Sequence, residues 1–255
     1  MGQFFVDDSV HQRAGLILCG VVYCARGING RVRQALRSVR LVPGVDEFKS
    51  GGRMQDNPAL ARLRTGLLSI VHRHCKVGVI IAPCSDRAQL GAIVLDGLAW
   101  MIRENSLVGK PGSIYLDQGM FATSRAAAEV SAQHPELGAH AVFAEQDSRA
   151  VMGIQLADVA AHTCATMLLE QLGYISKTVK AGDNSGYDPE WDLKLGFELW
   201  AKLRYAFFCR RNPARSAGDP LYDASPGLYV SPSSPPALAD AAGDRFGSVY
   251  LGCIH

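Results

Sequence analysis

Short apolar runs alternate with amphipathic stretches along the first two thirds of the chain. Residues 3–9 and 15–24 are rich in β-branched and aromatic side chains and are separated by a polar turn, which predicts an antiparallel hairpin. Three more strand-like runs follow, at residues 76–82, 113–119 and 139–146. The period of the apolar positions predicts helices at residues 28–41, 58–74, 86–105, 123–133 and 148–172.

A hairpin followed by alternating helices and strands predicts an α/β fold, in which a mixed central sheet of about five strands is flanked by helices. We expect residues 1–172 to form this core. Residues 173–209, with a helix from about residue 191, are predicted to be a helical extension of the same domain. Residues 210–255 are rich in Pro, Ser, Gly and Ala, which is typical of an extended arm or tail.

The charge of the chain is unevenly distributed. The net charge of the 255 residues is only +2, but residues 1–76 hold 12 Lys/Arg against 5 Asp/Glu. A basic pole of this kind fits a polyanionic partner such as nucleic acid, although a solvated helix face is an equally ordinary origin of such a run. The candidate contacts with a nucleic-acid backbone are Arg31, Arg33, Arg37 and Arg40.

Cysteine usage and the N-terminus predict a cytoplasmic protein. The seven cysteines are scattered, mostly inside apolar runs, and no basic segment of a secretory signal precedes the first strand. Residues 150–169 are long enough to cross a membrane. They contain Gln155, Asp158 and His162, which are costly in a bilayer, so we expect a buried helix and no membrane partner.

Acidic residues occur next to strongly apolar sequence at four places. Asp7 and Asp8 end the first strand, Asp117 ends the fourth, Asp158 lies inside the long apolar helix, and Glu47 lies in a polar connection. A buried ionised carboxylate costs several kcal/mol unless it is paired or bound to metal. Salt bridges to arginine would explain any one of these acids, whereas convergence on a divalent-metal site explains the set.

Four segments resemble the motifs of the bacterial domain-of-unknown-function 3800 family, which is placed in the ribonuclease-H-like superfamily. The resemblance extends from about residue 3 to 172 and is most specific over Gly153–Asp158. Val10 and Gln118 depart from the family pattern, which usually has glycine at the first position and often a second acid at the other. The four segments are FFVDDS (4–9), EFKSG (47–51), SIYLDQG (113–119) and DSRAVMGIQLADVAAH (147–162).

The resemblance implies a ribonuclease-H-like core and a metal-dependent nuclease, a hydrolase that acts on nucleic acid. Asp7, Glu47, Asp117 and Asp158 would then be the catalytic ligands of Mg²⁺ or Mn²⁺. Asp8 would be an additional or structural acid.

Three further residues are candidate accessory groups. Gln155 and His162 are three residues before and four residues after Asp158, so all three share one helix face. His162 could carry a proton or position a phosphate, or it could be an ordinary core histidine. Lys49 could contact a phosphate, or it could be a solvated surface lysine.

Two alternatives to a nuclease remain open. The same fold could be a non-catalytic module that binds nucleic acid or protein, in a mobile-element or defence context. A homo-oligomer is the other alternative, because the second half of the chain has enough aromatic side chains for an interface. These are Trp191, Trp200, Tyr205, Phe207 and Phe208.

Overall fold

The computed structural model describes residues 1–52, 54, 56–181, 187–216 and 218–252, and these form eleven strands and seven α-helices. The strands are β1 (Gly2–His11), β2 (Leu16–Cys24), β3 (Lys76–Pro83), β4 (Gly112–Asp117), β5 (His140–Gln146), β6 (Thr178–Lys180), β7 (Asp192–Lys194), β8 (Arg210–Arg211), β9 (Leu221–Asp223), β10 (Leu228–Val230) and β11 (Ser248–Tyr250). The helices are α1 (Asn29–Ser38), α2 (Pro58–His74), α3 (Leu90–Glu104), α4 (Ser124–Ser131), α5 (Gly153–Gln171), α6 (Leu195–Leu203) and α7 (Pro236–Phe246).

Six strands form the central sheet, in the order β10-β3-β2-β1-β4-β5. Strand β2 runs antiparallel to β1 and β3, whereas β4 runs parallel to β1 and β5, and β10 runs parallel to β3. The predicted mixed central sheet, flanked by helices, is confirmed. The sheet has one more strand than expected because β10 comes from the Pro/Ser-rich C-terminal segment.

Side chains alternate between the two faces of the sheet, and each face has its own core. Phe5 and Leu18 are buried against α1, α2 and α5, while Phe4 is buried on the opposite face against α3. Asp7 lies two residues after Phe5 and therefore points to the α5 side of the sheet. Asp8 points to the α3 side.

Local capping signals explain where α2 begins but not where α5 begins. The helix predicted over residues 58–74 is confirmed, and the Asn57 side chain accepts a backbone hydrogen bond from its first turn at 3.1 Å. The last core helix was expected from about residue 148, but α5 begins at Gly153. The Ser148 hydroxyl donates a hydrogen bond to the Glu47 carboxylate instead of capping a helix.

The C-terminal residues have more regular structure than an extended arm or tail. Strands β8, β9 and β11 form a small antiparallel sheet, and β10 extends the central sheet. Helix α7 buries Leu238, Ala242 and Phe246, which lie on one stripe at helical spacing. The Phe246 ring stacks on Phe207, with 6.0 Å between ring centroids. Composition alone misled the prediction, because proline at the first turn of α7 starts that helix.

Two of the aromatic side chains considered for an interface are not available for one. Phe207 and Phe208 are buried, whereas Trp191 and Tyr205 are 57% and 40% exposed. Self-association through this region stays a prediction.

The apolar stretch around residues 150–169 lies within α5, which packs on the sheet. Within the described ranges, no helix is long and apolar enough to cross a membrane.

Candidate active site

Two carboxyl groups lie side by side on neighbouring strands. Asp117 is the last residue of β4, but Asp7 lies within β1, which continues to His11 and does not end at the acids as expected. These strands are parallel, and their register pairs Phe5 with Tyr115 and Val6 with Leu116. Continued by one residue, this register places Asp7 beside Asp117 on the α5 side of the sheet. The two carboxyl groups are close enough to share a proton.

Helix α5 brings the third carboxylate because it lies directly on the sheet. Gly20 is the partner of Asp7 across β1 and β2, and a Cβ atom at Gly20 would be only 2.5 Å from the backbone nitrogen of Ala161 and 2.7 Å from the carbonyl oxygen of Ala157. Only glycine permits so close an approach of a helix backbone. The approach holds Asp158, which follows Ala157, within electrostatic reach of Asp7.

Burial raises the pKa values of all three aspartates, and repulsion from neighbouring aspartates adds to the rise at Asp7 and Asp158. The pKa of Asp7, which is 6% exposed, rises to about 8 because of burial first and then the charges of Asp117 and Asp158. Burial is also the largest cause of the raised pKa values of Asp117 and Asp158. Burial opposes the charge of Lys49, but Glu47 and the three aspartates outweigh it and raise its pKa. The site is therefore strongly attractive to cations.

The loop from Glu47 to Ser50 is anchored to α5 by backbone hydrogen bonds. The Phe48 N–H donates to the Gln155 Oε1 at 2.9 Å, and the Ser50 N–H donates to the Asp158 Oδ2 at 2.7 Å. The Gln155 Nε2 in turn donates to the Ser148 carbonyl oxygen at 2.9 Å. Because these hydrogen bonds join the loop to residues of α5, the position of α5 determines the position of the loop.

Glu47 lies at the margin of the three-aspartate group. Its carboxylate accepts the Ser148 hydroxyl and lies 3.4 Å from the Lys49 Nζ. The structure thus brings Asp7, Asp117 and Asp158 together with Lys49, while the Glu47 carboxylate is engaged by Ser148 and Lys49. Its assignment as a fourth ligand stays a prediction.

The Gln155→Leu variant is expected to lose about 2 kcal/mol of unfolding free energy, because the Phe48 N–H and the Ser148 carbonyl oxygen lose their partner inside the protein. Gln155 is fully buried, so water cannot replace it. Urea unfolding measures the loss. Gln133→Leu, at an exposed position after α4, is the matched control and should change stability by less than about 0.5 kcal/mol. Equal values for the two variants would contradict the anchoring of the loop.

Asp8 and His162 take different positions from the three aspartates. Asp8 forms an ion pair with Arg87 on the α3 side of the sheet. His162 follows Asp158 by one helical turn, and burial, then the charges of Arg64 and His11, lowers its pKa to about 4. Its imidazole is neutral at pH 7, so it can accept a proton or a hydrogen bond but carries no charge there.

Three residues that hold the site were not identified from the sequence. Ser50 and Ser148 act through a backbone N–H and a hydroxyl. Both lie in segments that carry the family resemblance, but their residue type alone does not indicate these roles. Glu145 has a left-handed backbone (φ 56°), and its carboxylate accepts the N–H groups of Gly119 and Phe121, in the turn that follows β4. The unusual backbone of Glu145 accompanies a bulge where β5 pairs with the end of β4. That bulge cannot be located from the sequence without the strand register.

The donor chemistry of the site fits a hard divalent cation. Asp7 is buried and the adjacent Asp117 is half-buried, and two such carboxyl groups can together hold a cation, because carboxylate oxygens are the ligands that Mg²⁺ and Mn²⁺ prefer. As the side chains stand, no three His, Cys, Asp or Glu residues in the described part of the chain are arranged as a ready-made metal cluster. Asp158 is directed to the Ser50 N–H.

Comparison with known proteins gives only distant similarity. No protein-family model matches the sequence, and no curated protein matches it. Among solved structures, the chain is similar to one in the PCNA:RNase HII complex from Archaeoglobus fulgidus, with 16% identity over 86% of this chain and 99% of that chain and a TM-score of 0.41. It is also similar to ribonuclease H2 from Pyrococcus horikoshii OT3, with 15% identity over 75% and 81% of the two chains and a TM-score of 0.37. The assignment of a mixed α/β fold rests on the strand order and directions described above.

Proposed function

We propose that the protein is a divalent-metal-dependent nuclease, or a related phosphoryl-transfer enzyme, of the domain-of-unknown-function 3800 family. The observation that carries the proposal is the convergence of Asp7, Asp117 and Asp158. They come from two strands and one helix, and burial is the largest cause of the raised pKa of each. Such a group costs stability in the absence of a cation, which is typical of a functional site.

In the proposed site, Asp7, Asp117 and Asp158 would hold Mg²⁺ or Mn²⁺, with Glu47 as the fourth predicted ligand. The bound metal would supply an activated water and stabilise negative charge at the scissile phosphate. Lys49 lies in the electrostatic field of the aspartates and offers an ammonium group to a phosphate oxygen. The Ser50 N–H fixes the orientation of the Asp158 carboxylate.

Cleavage of labelled single-stranded and double-stranded DNA and RNA, with Mn²⁺ or Mg²⁺, tests this proposal. We expect the wild type to cleave at least one substrate and a chelator to abolish that activity. Asp158→Asn should lower the rate at least about 100-fold, since each 1.4 kcal/mol of lost transition-state stabilisation is about tenfold in rate.

Asp147→Asn is the matched control for this experiment. Asp147 lies just before α5 and pairs with Arg149 outside the three-aspartate group, so its variant should cleave at nearly the rate of the wild type. If the wild type and Asp158→Asn leave every substrate equally intact, the nuclease proposal fails.

A non-catalytic binding module on the same fold is the second candidate. It is favoured by the engagement of Glu47 with Ser148 and Lys49, which leaves the predicted ligand set incomplete as the side chains stand. For such a module, nucleic-acid binding would persist without metal and after replacement of the four predicted ligands.

A further inference from the structure

Helices α1 and α2 pack against each other and leave a groove with a volume of about 320 Å³ between them. Arg31, near the start of α1, meets Arg73 and His74 at the end of α2. The middle of the groove is lined by smaller residues, among them Ala35 and Gly66. A Cβ atom at Gly66 would have no neighbour within 4 Å, so the groove is open at that point.

The positive charges at the end of this groove have no counter-charge of their own. Within the described residues, neither Arg31 nor Arg73 forms an ion pair, and both are exposed. Burial, and then the charges of Arg31 and Arg73, lowers the pKa of His74. Several arginines elsewhere are paired with acids, as in Arg87–Asp8, Arg103–Glu136, Arg125–Glu129, Arg149–Asp147, Arg210–Glu104 and Arg215–Asp219.

The two faces of α1 carry different kinds of arginine. Arg31 and Ala35 face the groove, and Val32 and Leu36 are buried in the core. Arg33 and Arg37 are exposed and do not line the groove. The predicted set of nucleic-acid contacts therefore divides into one groove residue and an outer group, and the groove gains Arg73 from α2.

We propose that the α1–α2 groove binds the phosphodiester backbone of a nucleic-acid strand, with Arg31 and Arg73 contacting its phosphates. The inference rests on the proposed nuclease function and names how its substrate is held. Paired, unneutralised guanidinium groups match phosphates in charge and geometry. An acidic polypeptide would match them in charge as well, but the course of α2 favours nucleic acid.

Helix α2 leads from the arginines toward the candidate active site. Its 17 residues end at His74, whereas Arg64, in its second turn, lies within electrostatic reach of Asp158. A helix of that length spans about 25 Å. A strand bound at Arg31 and Arg73 that follows α2 would thus approach the aspartates, which an unrelated acidic peptide has no reason to do.

Fluorescence anisotropy with a labelled oligonucleotide of about 20 nucleotides, in a chelating buffer, measures binding separately from cleavage. We expect Arg31→Ala/Arg73→Ala to weaken binding about tenfold or more, and to lower the slope of log affinity against log salt by about 1 to 2. Arg33→Ala/Arg37→Ala removes the same charge from the outer face of α1. It should weaken binding only about twofold to threefold, through longer-range electrostatics.

Gly66→Leu tests the groove without changing any charge. Leucine is a better helix former than glycine and would fill the open middle of the groove, so the variant should fold and still lose about tenfold in affinity. Circular dichroism and the unfolding temperature verify folding of all three variants.

Equal losses of affinity in Arg31→Ala/Arg73→Ala and Arg33→Ala/Arg37→Ala would overturn the proposed role of the groove. Full affinity in folded Gly66→Leu would overturn it as well. Displacement of the oligonucleotide by polyglutamate of equal charge, at equal concentration, would also overturn it and indicate an acidic protein as the occupant. Absence of cleavage in the nuclease assay would not affect these readings, because the binding buffer contains no divalent metal. Conversely, if the wild type cleaves nucleic acid but the groove variants bind the oligonucleotide with unchanged affinity, this inference fails and the nuclease proposal stands.

Discussion

The Asp7→Asn variant is expected to lose metal-dependent cleavage while becoming more stable than the wild type in the absence of metal. Asp7 is 6% exposed, and its ionised carboxylate faces Asp117 and Asp158. Asparagine preserves the size of the side chain and can still accept the Asp8 N–H, which now donates to the Asp7 Oδ1 at 2.8 Å. The loss of a metal ligand should lower the cleavage rate about 1000-fold, because a bound metal supplies several kcal/mol of charge stabilisation.

The gain in stability depends on pH in a defined direction. Burial, then the charges of Asp117 and Asp158, raises the pKa of Asp7 from 3.8 to about 8 in the folded protein. Between these two values the folded state holds a proton that the unfolded state has released, so the contribution of this group to stability falls as pH rises. The variant lacks this titration. Its advantage over the wild type should grow from about pH 4 to about pH 8 and then level off.

Urea unfolding in a chelating buffer, at about pH 5 and about pH 8, measures this difference. Asp240→Asn, at an exposed position in α7, is the control and should match the wild type at both pH values. Added Mn²⁺ should raise the unfolding temperature of the wild type but not of Asp7→Asn. A variant no more stable than the wild type at about pH 8 would show that Asp7 carries no electrostatic cost.

The parts of the fold that local sequence determines were predictable. The start of α2 follows from Asn57 and Pro58, which cap the helix and begin its first turn. It was also predictable that Asp158 has a polar partner, because a charge inside an apolar helix requires one. The alternation of side chains along β1 correctly separated Asp7 from Asp8, since a strand has a period of two.

The parts that depend on distant segments were not predictable. The apolar stripe of α7 is buried because Phe207, from an earlier segment of the chain, packs beside it. Amino-acid composition does not reveal such a contact. The hydrogen bond from the Ser50 N–H to Asp158 joins residues 108 positions apart. A backbone donor leaves no trace in residue type, so the arrangement of the Glu47–Ser50 loop required the structure.

The Gly20→Ala variant is expected to lower the unfolding free energy by about 3 kcal/mol. The added Cβ would lie 2.5 Å from the Ala161 nitrogen and 2.9 Å from its Cα, and both are helix backbone atoms that cannot rotate away. Helix α5 must therefore move off the sheet, and Asp158 moves with it. Metal affinity should fall along with stability, although Gly20 itself has no side chain that could bind a metal.

Gly243→Ala separates this steric effect from the general effect of replacing glycine. Gly243 lies in α7, is exposed, and has no atom within 4 Å of the position that an added Cβ would take, so alanine there should stabilise the protein by about 0.5 to 1 kcal/mol. Opposite signs for the two Gly→Ala substitutions, measured by urea unfolding, would establish close approach of α5 at Gly20 as the reason. A Gly20→Ala protein as stable as the wild type would mean that α5 does not lie on β2 and that the three aspartates are not held together by that contact.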